Sequence, residues 1–514
     1  MARRAGDARA AWRLTMALMM SVMAACGRPP APETAWTPEI PRTWDADALH
    51  AFEVPLADPA QSPVHVPADY YYALPERPIY KSYPVYAPGR EPDGYMEWIA
   101  AQPPEIVFDP ATLQTEADWI AAGALVFEAP IAYDAIIRVA DLRNPDLYAR
   151  LHVPTTPDGI VPFARYVVLE PGKVALGNVA CAMCHTRVLD DGRVVTGAQG
   201  NFPFDAVLGM TSLRGMPDGA AGFLNRLLFG APWVSHPSVA TTEALTGAET
   251  VEAFGAIPAG VLARQGTSLL HPPRVPDLIG LTDRRYLDST GVNRHHGIGD
   301  VMRYAALNQG MDTLSQYGPF VPDSEDGRTR PAPGQGQFTG ASSRYSEAQL
   351  YALGLYLYSL TPPPNPHQPS PITARGQEVF QRTGCATCHP PPLYTSNRLT
   401  PVDGFDVPDE ALATDDIHPV GVGTDPALAL TTRRGTGYYK VPSLKGVWYR
   451  GPFEHNGSVA TLEDWFDPRR LRDDYVPTGY RGFRVERRAV PGHRFGLDLS
   501  NEDKAALIAF LKTL

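Results

Sequence analysis

Cys181-Ala182-Met183-Cys184-His185 and Cys385-Ala386-Thr387-Cys388-His389 are the two stretches that decide the fold of this 514-residue chain. Both read C-x-x-C-H. Two thiols three residues apart, followed at once by an imidazole, form the spacing at which a haem is attached covalently. The thiols add across its vinyl groups and the histidine reaches the iron. The chain has five cysteines, and these motifs use four of them. A redox disulfide needs only C-x-x-C and a thioredoxin-like βαβ setting, which neither motif has. A zinc site needs four close ligands, and each motif offers three with no second cysteine pair nearby. Two covalent haem c groups are therefore expected, with His185 and His389 as proximal iron ligands.

The surroundings of the motifs repeat. Gly376-Gln377-Glu378-Val379-Phe380 reads as a short helix leading into Cys385, and Gly123-Ala124-Leu125-Val126-Phe127 shares its Gly with Val-Phe at +3 and +4. The earlier copy follows the cap signal Thr115-Glu116-Ala117-Asp118, and about 50 residues separate it from Cys181. Closing helices repeat as well. Ser346-Glu347-Ala348-Gln349 opens one whose Leu350, Leu353, Leu357 and Leu360 share a face, and Ser500-Asn501-Glu502-Asp503 opens another with Leu507, Phe510, Leu511 and Leu514. Between them Pro362-Pro363-Pro364-Asn365-Pro366 cannot continue a helix. The pattern predicts a mainly α fold of two tandem cytochrome c-like haem domains, 110–363 and 364–514, the first swollen by large loop-rich insertions. Those insertions either build a pocket or cover an interface.

The N-terminus reads as an address. Arg3, Arg4, Arg9 and Arg13 precede an apolar run over 14–22 and then small residues, the layout of an export signal over 1–25. The run is too short to span a bilayer. Met23-Ala24-Ala25-Cys26-Gly27 resembles the lipobox of bacterial lipoproteins, with Met23 where Leu is usual, so either lipid attachment at Cys26 or ordinary signal cleavage follows. Residues 26–109 then form a Pro-rich tether, through Pro29, Pro30, Pro32, Pro38 and Pro41, and an N-terminal extension. With 45 Lys+Arg against 56 Asp+Glu the net charge is −11, roughly −14 once the signal is removed, and nucleic acid is excluded as a partner for want of clustered cations. The expected location is the periplasmic side of the cell envelope, with membrane contact only through a lipid on Cys26.

The sixth iron ligand decides the chemistry: Met raises the potential, a second His lowers it, and an open position admits peroxide or dioxygen. No Met follows Met311, so the second unit cannot supply one to its own haem; its imidazoles are His418, His455 and His493. Val441-Pro442-Ser443-Leu444-Lys445-Gly446, Gly451-Pro452-Phe453-Glu454-His455-Asn456-Gly457 and Ala460-Thr461-Leu462-Glu463 together resemble the C-terminal half of the bacterial di-haem cytochrome c peroxidase superfamily, which includes MauG-type and rubber-oxygenase-type proteins. In classical members an axial Met or Tyr lies about eight residues past the Thr of A-T-L-E. That position is Arg469 here, a poor iron ligand. The rubber-oxygenase type uses a late His, and Gly492-His493-Arg494-Phe495-Gly496 is similar, so the resemblance implies His493 as distal ligand of the second haem. It places His455 near the haem interface as a supporting residue, and leaves His418 a loop residue. It also implies a possible calcium ion near Pro452, although Arg450 stands where the family has Thr. Trp448 and Trp465 lie in the same block, as electron-hopping or packing residues.

For the first haem, Met210, Met216, His271, His295, His296 and Met302 are candidate ligands or pocket residues. Arg294, His295 and His296 are the candidate catalytic set for O–O cleavage, an imidazole titrating near neutrality and a cation stabilising the leaving oxyanion. A basic cluster opening a helix over 301–307 can equally be solvated or pair with haem propionates, and Asn293 loosely resembles a motif asparagine of the rubber-oxygenase type. The resemblance implies an exported di-haem oxidoreductase whose first haem meets peroxide or dioxygen and whose second relays electrons to or from a small redox protein or the quinol chain. The rival is a non-catalytic di-haem electron carrier.

Overall fold

The structure is a computed structural model that describes residues 36–335, 342–414 and 416–514. The export signal, Cys26, Pro29, Pro30 and Pro32 lie outside the described residues. The framework helices are α1 (Glu116–Glu128), α2 (Cys181–Cys184), α3 (Ile298–Asn308), α4 (Glu347–Ser359), α5 (Pro371–Arg382), α6 (Cys385–Cys388) and α7 (Asn501–Leu511). The predicted caps set their starts. Thr115 and Asp118 form a capping box on α1, Ser346 and Gln349 on α4, and the Ser500 side chain accepts the Asp503 N–H on α7. Helix α5 opens on a capping box of Ser370 and Thr373 with Pro371 in its first turn, where a missing N–H costs nothing.

Two helix crossings organise the framework, α1 on α4 and α5 on α7. They are copies of one another. A Cβ placed on Gly123 would lie 2.0 Å from the Ala352 carbonyl oxygen and 2.7 Å from the Tyr356 Cβ; one on Gly376 would lie 2.0 Å from the Ala506 oxygen and 2.7 Å from the Phe510 Cβ. Only glycine lets the backbones approach so closely. The Val-Phe pairs that follow, Val126-Phe127 and Val379-Phe380, are buried, and the ring centroids of Phe127 and Tyr356, and of Phe380 and Phe510, are both 5.4 Å apart.

The chain between α1 and α2 is more than loop. It helps to build a four-stranded antiparallel sheet, β1 (Ser82–Tyr86), β2 (Ala132–Tyr133), β3 (Ile160–Glu170) and β4 (Lys173–Asn178), in the order β1-β3-β4-β2. The insertion, expected to be loop-rich, thus also carries regular strands. Val161, Phe163, Tyr166 and Val168 are buried, and the turn at Pro171-Gly172, with Gly172 at φ 82°, joins β3 to β4. In the second unit β5 (Leu399–Pro401) pairs with β6 (Tyr438–Lys440), also antiparallel.

From Trp36 onward the extension is packed rather than trailing. Trp36 lies against Trp119 of α1 and Tyr351 of α4, at 6.2 and 6.5 Å between ring centroids. Trp44 stacks on Tyr71 at 4.3 Å and donates its indole N–H to the Val66 carbonyl at 2.7 Å. Thr43 and Tyr72 both bond Glu347 at the start of α4. The tether reading therefore extends no further than Ala35.

Replacing Gly376 by Ala forces α5 away from α7. The expected loss is about 3 kcal/mol of stability, with the same direction for Gly123→Ala, and chemical unfolding of each variant measures it. Ala at the exposed Gly219, where nothing lies within 4 Å, is the control and should change stability by less than about 1 kcal/mol.

Candidate functional site

Each C-x-x-C-H motif forms a single helical turn, α2 and α6, closed by an N–H from the histidine to the carbonyl of the first cysteine at 2.9 Å in both copies. Each imidazole then places Nδ1 on a backbone carbonyl: His185 on Pro276 at 3.0 Å and His389 on Tyr394 at 3.1 Å. A carbonyl only accepts, so Nδ1 carries the proton and Nε2 keeps its lone pair for a metal. Burial lowers both histidines to about 4, which keeps them neutral and able to ligate. Tyr394 ties this to the framework, its ring lying 6.0 Å from Phe380 and 6.2 Å from Phe510 across the α5–α7 crossing.

The cysteines form no disulfide and are half-buried. Burial nevertheless pushes Cys181 up to about 11 and Cys184 up to about 12, and raises Cys385 and Cys388. A side chain that is desolvated yet retains accessible surface faces an internal space. Reactive dithiols show the opposite shift. The residues fit covalent haem: paired thiols, an imidazole with its free nitrogen fixed, and an enclosed wall.

His493 is half-buried, and its Nδ1 has no hydrogen-bond partner among the described residues. Its ring lies 5.1 Å from Trp465 and 5.4 Å from Phe495, near enough to His389 that a proton on either imidazole would oppose one on the other. It sits at φ 42°, in the left-handed region. What holds it there is Arg470, which sequence reasoning missed in favour of its neighbour. Arg469 is 77% exposed and pairs with Asp467. Arg470 is 1% exposed and donates to four carbonyls, those of Trp465 at 2.9 Å, Val490 at 2.7 Å, Gly492 at 2.9 Å and His493 at 2.8 Å.

The other imidazoles of the second unit are differently engaged. His455 is buried, pairs with Glu454 at 2.7 Å and stacks on Tyr439 at 4.3 Å. His418 places Nε2 3.5 Å from the Cys388 sulfur, closer to the motif than a plain loop residue. Trp448 meets Tyr449 edge-on at 5.2 Å.

Arg294, His295 and His296 diverge. The Arg294 guanidinium reaches the Glu53 carbonyl at 2.5 Å. His295 has both nitrogens engaged, on the Arg284 carbonyl at 2.7 Å and the Tyr358 hydroxyl at 2.6 Å. The His296 side chain is 65% exposed and pairs with Asp300 at 3.3 Å. The expected catalytic cluster is corrected: consecutive residues entering a helix point in different directions, and each already has a partner. Met302 is buried in the core, Asn293 is buried, and His271 lies 3.7 Å from Asp425. Met210 closes the helix Phe204–Met210, and a Cβ on Gly247 would meet the Met216 carbonyl.

A different polar set surrounds the first motif. The charge of Arg264 acts on Cys181, Cys184 and His185. Its Nε donates to Asn308 Oδ1 at 3.1 Å, the same oxygen that takes Arg434 Nη2 at 3.0 Å, and Arg434 is fixed on Asp312 at 2.9 Å. Asn308 Nδ2 donates to the Tyr304 carbonyl at 2.8 Å. Burial raises Asp288 and Tyr304, and Asp288 Oδ1 has no hydrogen-bond partner among the described residues. Arg434 comes from the second unit, so no local pattern around Cys181 could have revealed it.

Calcium fits poorly. The Arg450 guanidinium stands near Asp277 at 3.8 Å, with Arg274 and Arg284 lining the same cavity. A divalent cation among guanidinium groups is repelled.

A family described as RoxA-like, cytochrome c-like matches residues 437–476. The matched segment is cytochrome c-like. It runs from β6 to just past Arg470. With the two motifs it supports a redox protein carrying covalent haem c. Among solved structures the chain is similar to the hydrazine synthase of Kuenenia stuttgartiensis, in a xenon-pressurised crystal, at 14% identity and TM-score 0.31 over 59% of this chain and 88% of that one. It is also similar to a MauG-like protein associated with microbial copper homeostasis, at 18% identity and TM-score 0.26 over 47% of this chain and 73% of that one. Likenesses this slight carry no argument about mechanism. No curated protein matches.

Asp205, on the helix Phe204–Met210 beside Cys184, gives this region a pH dependence. Its Oδ2 accepts the Ala263 N–H at 2.7 Å, its Oδ1 has no partner among the described residues, and burial pushes the carboxyl up to about 8. The folded chain thus keeps a proton that the unfolded chain releases above about pH 4. That contribution to stability is whole below pH 4 and is lost progressively as pH rises to about 8, on the order of 5 kcal/mol in all. Unfolding curves of Asp205→Asn should lack this decline.

Proposed function

We propose that this chain is an exported di-haem c oxidoreductase in which the haem on His185 reacts with peroxide or dioxygen and the haem on His389 and His493 relays electrons. The observation that carries the reading is the asymmetry of the two sites. Beside the second motif a half-buried imidazole is presented on a loop that Arg470 clamps at four carbonyls. Beside the first stand groups that hold oxygen and protons: Arg264, Arg434, Asn308, Asp288 and Tyr304.

When bound, haem supplies a redox-active iron that takes or gives one electron at a time and binds a small oxygen ligand where its sixth position is open. The chain does the rest. The Pro276 and Tyr394 carbonyls hold the proximal tautomers. Arg434, fixed by Asp312 and Asn308, presents a permanent cation to oxygen that gains negative charge. Asp288, its acidity weakened by burial, can take up or give a proton there. These residues take over the role first assigned to Arg294, His295 and His296. The outward location, a lipid tether on Cys26, and exchange with a small redox protein or a quinol-linked carrier belong to the same reading. Their support is the export-type N-terminus and the attachment of c-type haem outside the cytoplasm.

Low-temperature EPR of the oxidised protein is expected to show one high-spin and one low-spin haem, with cyanide converting only the former. His493→Gly should turn the low-spin signal high-spin. Arg434→Gln should leave both resting signals in place while lowering kcat/KM for peroxide about 100-fold. Two low-spin haems that ignore cyanide, with no turnover of peroxide or dioxygen, would return the chain to the electron-carrier class.

A further inference from the structure

Where the two units meet there is a small cavity of about 30 Å³. That is room for a small polar group and far too little for a macrocycle. Arg274 and Arg284 line it from the first unit, Lys440 and Arg450 from the second, against one carboxylate, Asp277. Asp277 offers a single negative charge to the four of them. Its Oδ2 lies 3.8 Å from Arg450 and 4.0 Å from Arg284, outside hydrogen-bond range, and takes the Tyr449 hydroxyl at 3.1 Å, while its Oδ1 takes the Ile279 N–H at 3.0 Å.

The cations are otherwise held by neutral oxygens. Arg450 donates to the Ser443 carbonyl at 2.7 Å and its Nε has no partner among the described residues. Lys440 Nζ donates to the Tyr286 and Leu287 carbonyls, both at 3.0 Å. Arg284 donates to the Asp277 and Ile279 carbonyls. Burial, reinforced by the neighbouring arginines, lowers Arg274 to about 10 and Lys440 to about 7, although Asp288 pulls Lys440 the other way. Buried charge of one sign without a counter-charge is costly, and native structures pair it.

The walls also reach both proximal histidines. Pro276, whose carbonyl takes the His185 N–H, lines the cavity, and so does Pro442, whose backbone bonds His389. A haem carries two propionate carboxylates at the edge opposite its thioether links. We propose that this cavity is a carboxylate chamber in which Arg274, Arg284, Lys440 and Arg450 receive haem propionates, so that fixed cations join the two sites without a divalent ion. The inference rests on the haem c reading and deepens it.

The test uses holoprotein carrying both haems, with haem content read first by mass and by the pyridine haemochrome. Removing a cation stabilises the ferric form. In Arg450→Gln the ferric/ferrous ratio of at least one haem at fixed potential should rise about tenfold, a shift of roughly 59 mV, whereas Arg450→Lys should restore most of it. Lys440→Gln on the neighbouring wall should move it in the same direction, and serves alone if Arg450→Gln fails to accumulate. Wild-type potentials should ignore added calcium, EGTA and inorganic phosphate. Unchanged potentials in haem-loaded Arg450→Gln and Lys440→Gln would overturn the chamber. A phosphate-dependent potential that is lost in Arg450→Gln would assign it to a dissolved anion instead, and a calcium-dependent one would restore the divalent ion; either overturns the propionate assignment. Protein without thioether-linked haem would sink the underlying reading, and the mass separates that failure from the others.

Discussion

Two backbones held against each other at a glycine underlie this structure. At Gly123 and again at Gly376 the partner helix comes so near that no side-chain carbon fits between them. Behind each glycine a Val-Phe pair fills the space under the crossing, and the aromatic rings across it meet at the same separation. In the second unit the crossing acts on the haem site within a few residues, since α5 leads straight to α6 and Tyr394 packs on the crossing while its carbonyl orients His389. In the first unit the crossing is separated from its motif in sequence, with much of a β-sheet inserted between, yet α1 still packs on α2, and the orienting carbonyl comes from Pro276 in a distant loop.

Electrostatics then separates the two sites. Near the second motif His493 stands on a loop in the left-handed region, held by a buried guanidinium whose donors go to carbonyls. Arg470 brings its own desolvation cost, offset by four hydrogen bonds to partial negative charges. The first site is crowded with ionisable groups, and some of them arrive from the other unit: Arg434 reaches across to Asn308 and Asp312, and Arg433 to the Leu227 carbonyl. Arg187 and Gln199 return the exchange on Gly451 and Pro452. The surroundings of the first motif therefore draw on side chains from both sides of residue 364.

The legible parts of the chain share one property: they are local. C-x-x-C-H needs five consecutive residues, a capping box four, and the Gly-x-x-Val-Phe pattern five, so each could be read without knowing what lay opposite. His493 could be singled out because it stood in a short motif before a capped helix. Arg470 was not, because its value lies in carbonyls 20 to 23 residues further on, and Arg469 beside it has the same side chain and an opposite fate. Arg294, His295 and His296 show the converse, since they are adjacent in sequence while the backbone bridge of Arg294 to Tyr286 and the two bonds of His295 give them separate partners.

By itself the sequence determined the covalent chemistry, four thiols and two imidazoles at fixed spacing, and the repeated helices that flank it, because thioether attachment and helix capping depend on neighbours within a single turn. The tertiary structure alone decided which charges meet. Arginines and carboxylates are scattered along the whole chain, and Coulomb interactions act over distances that chain separation does not reveal. Only folding gathers Arg274, Arg284, Lys440 and Arg450 around one cavity and Arg264 and Arg434 around one asparagine.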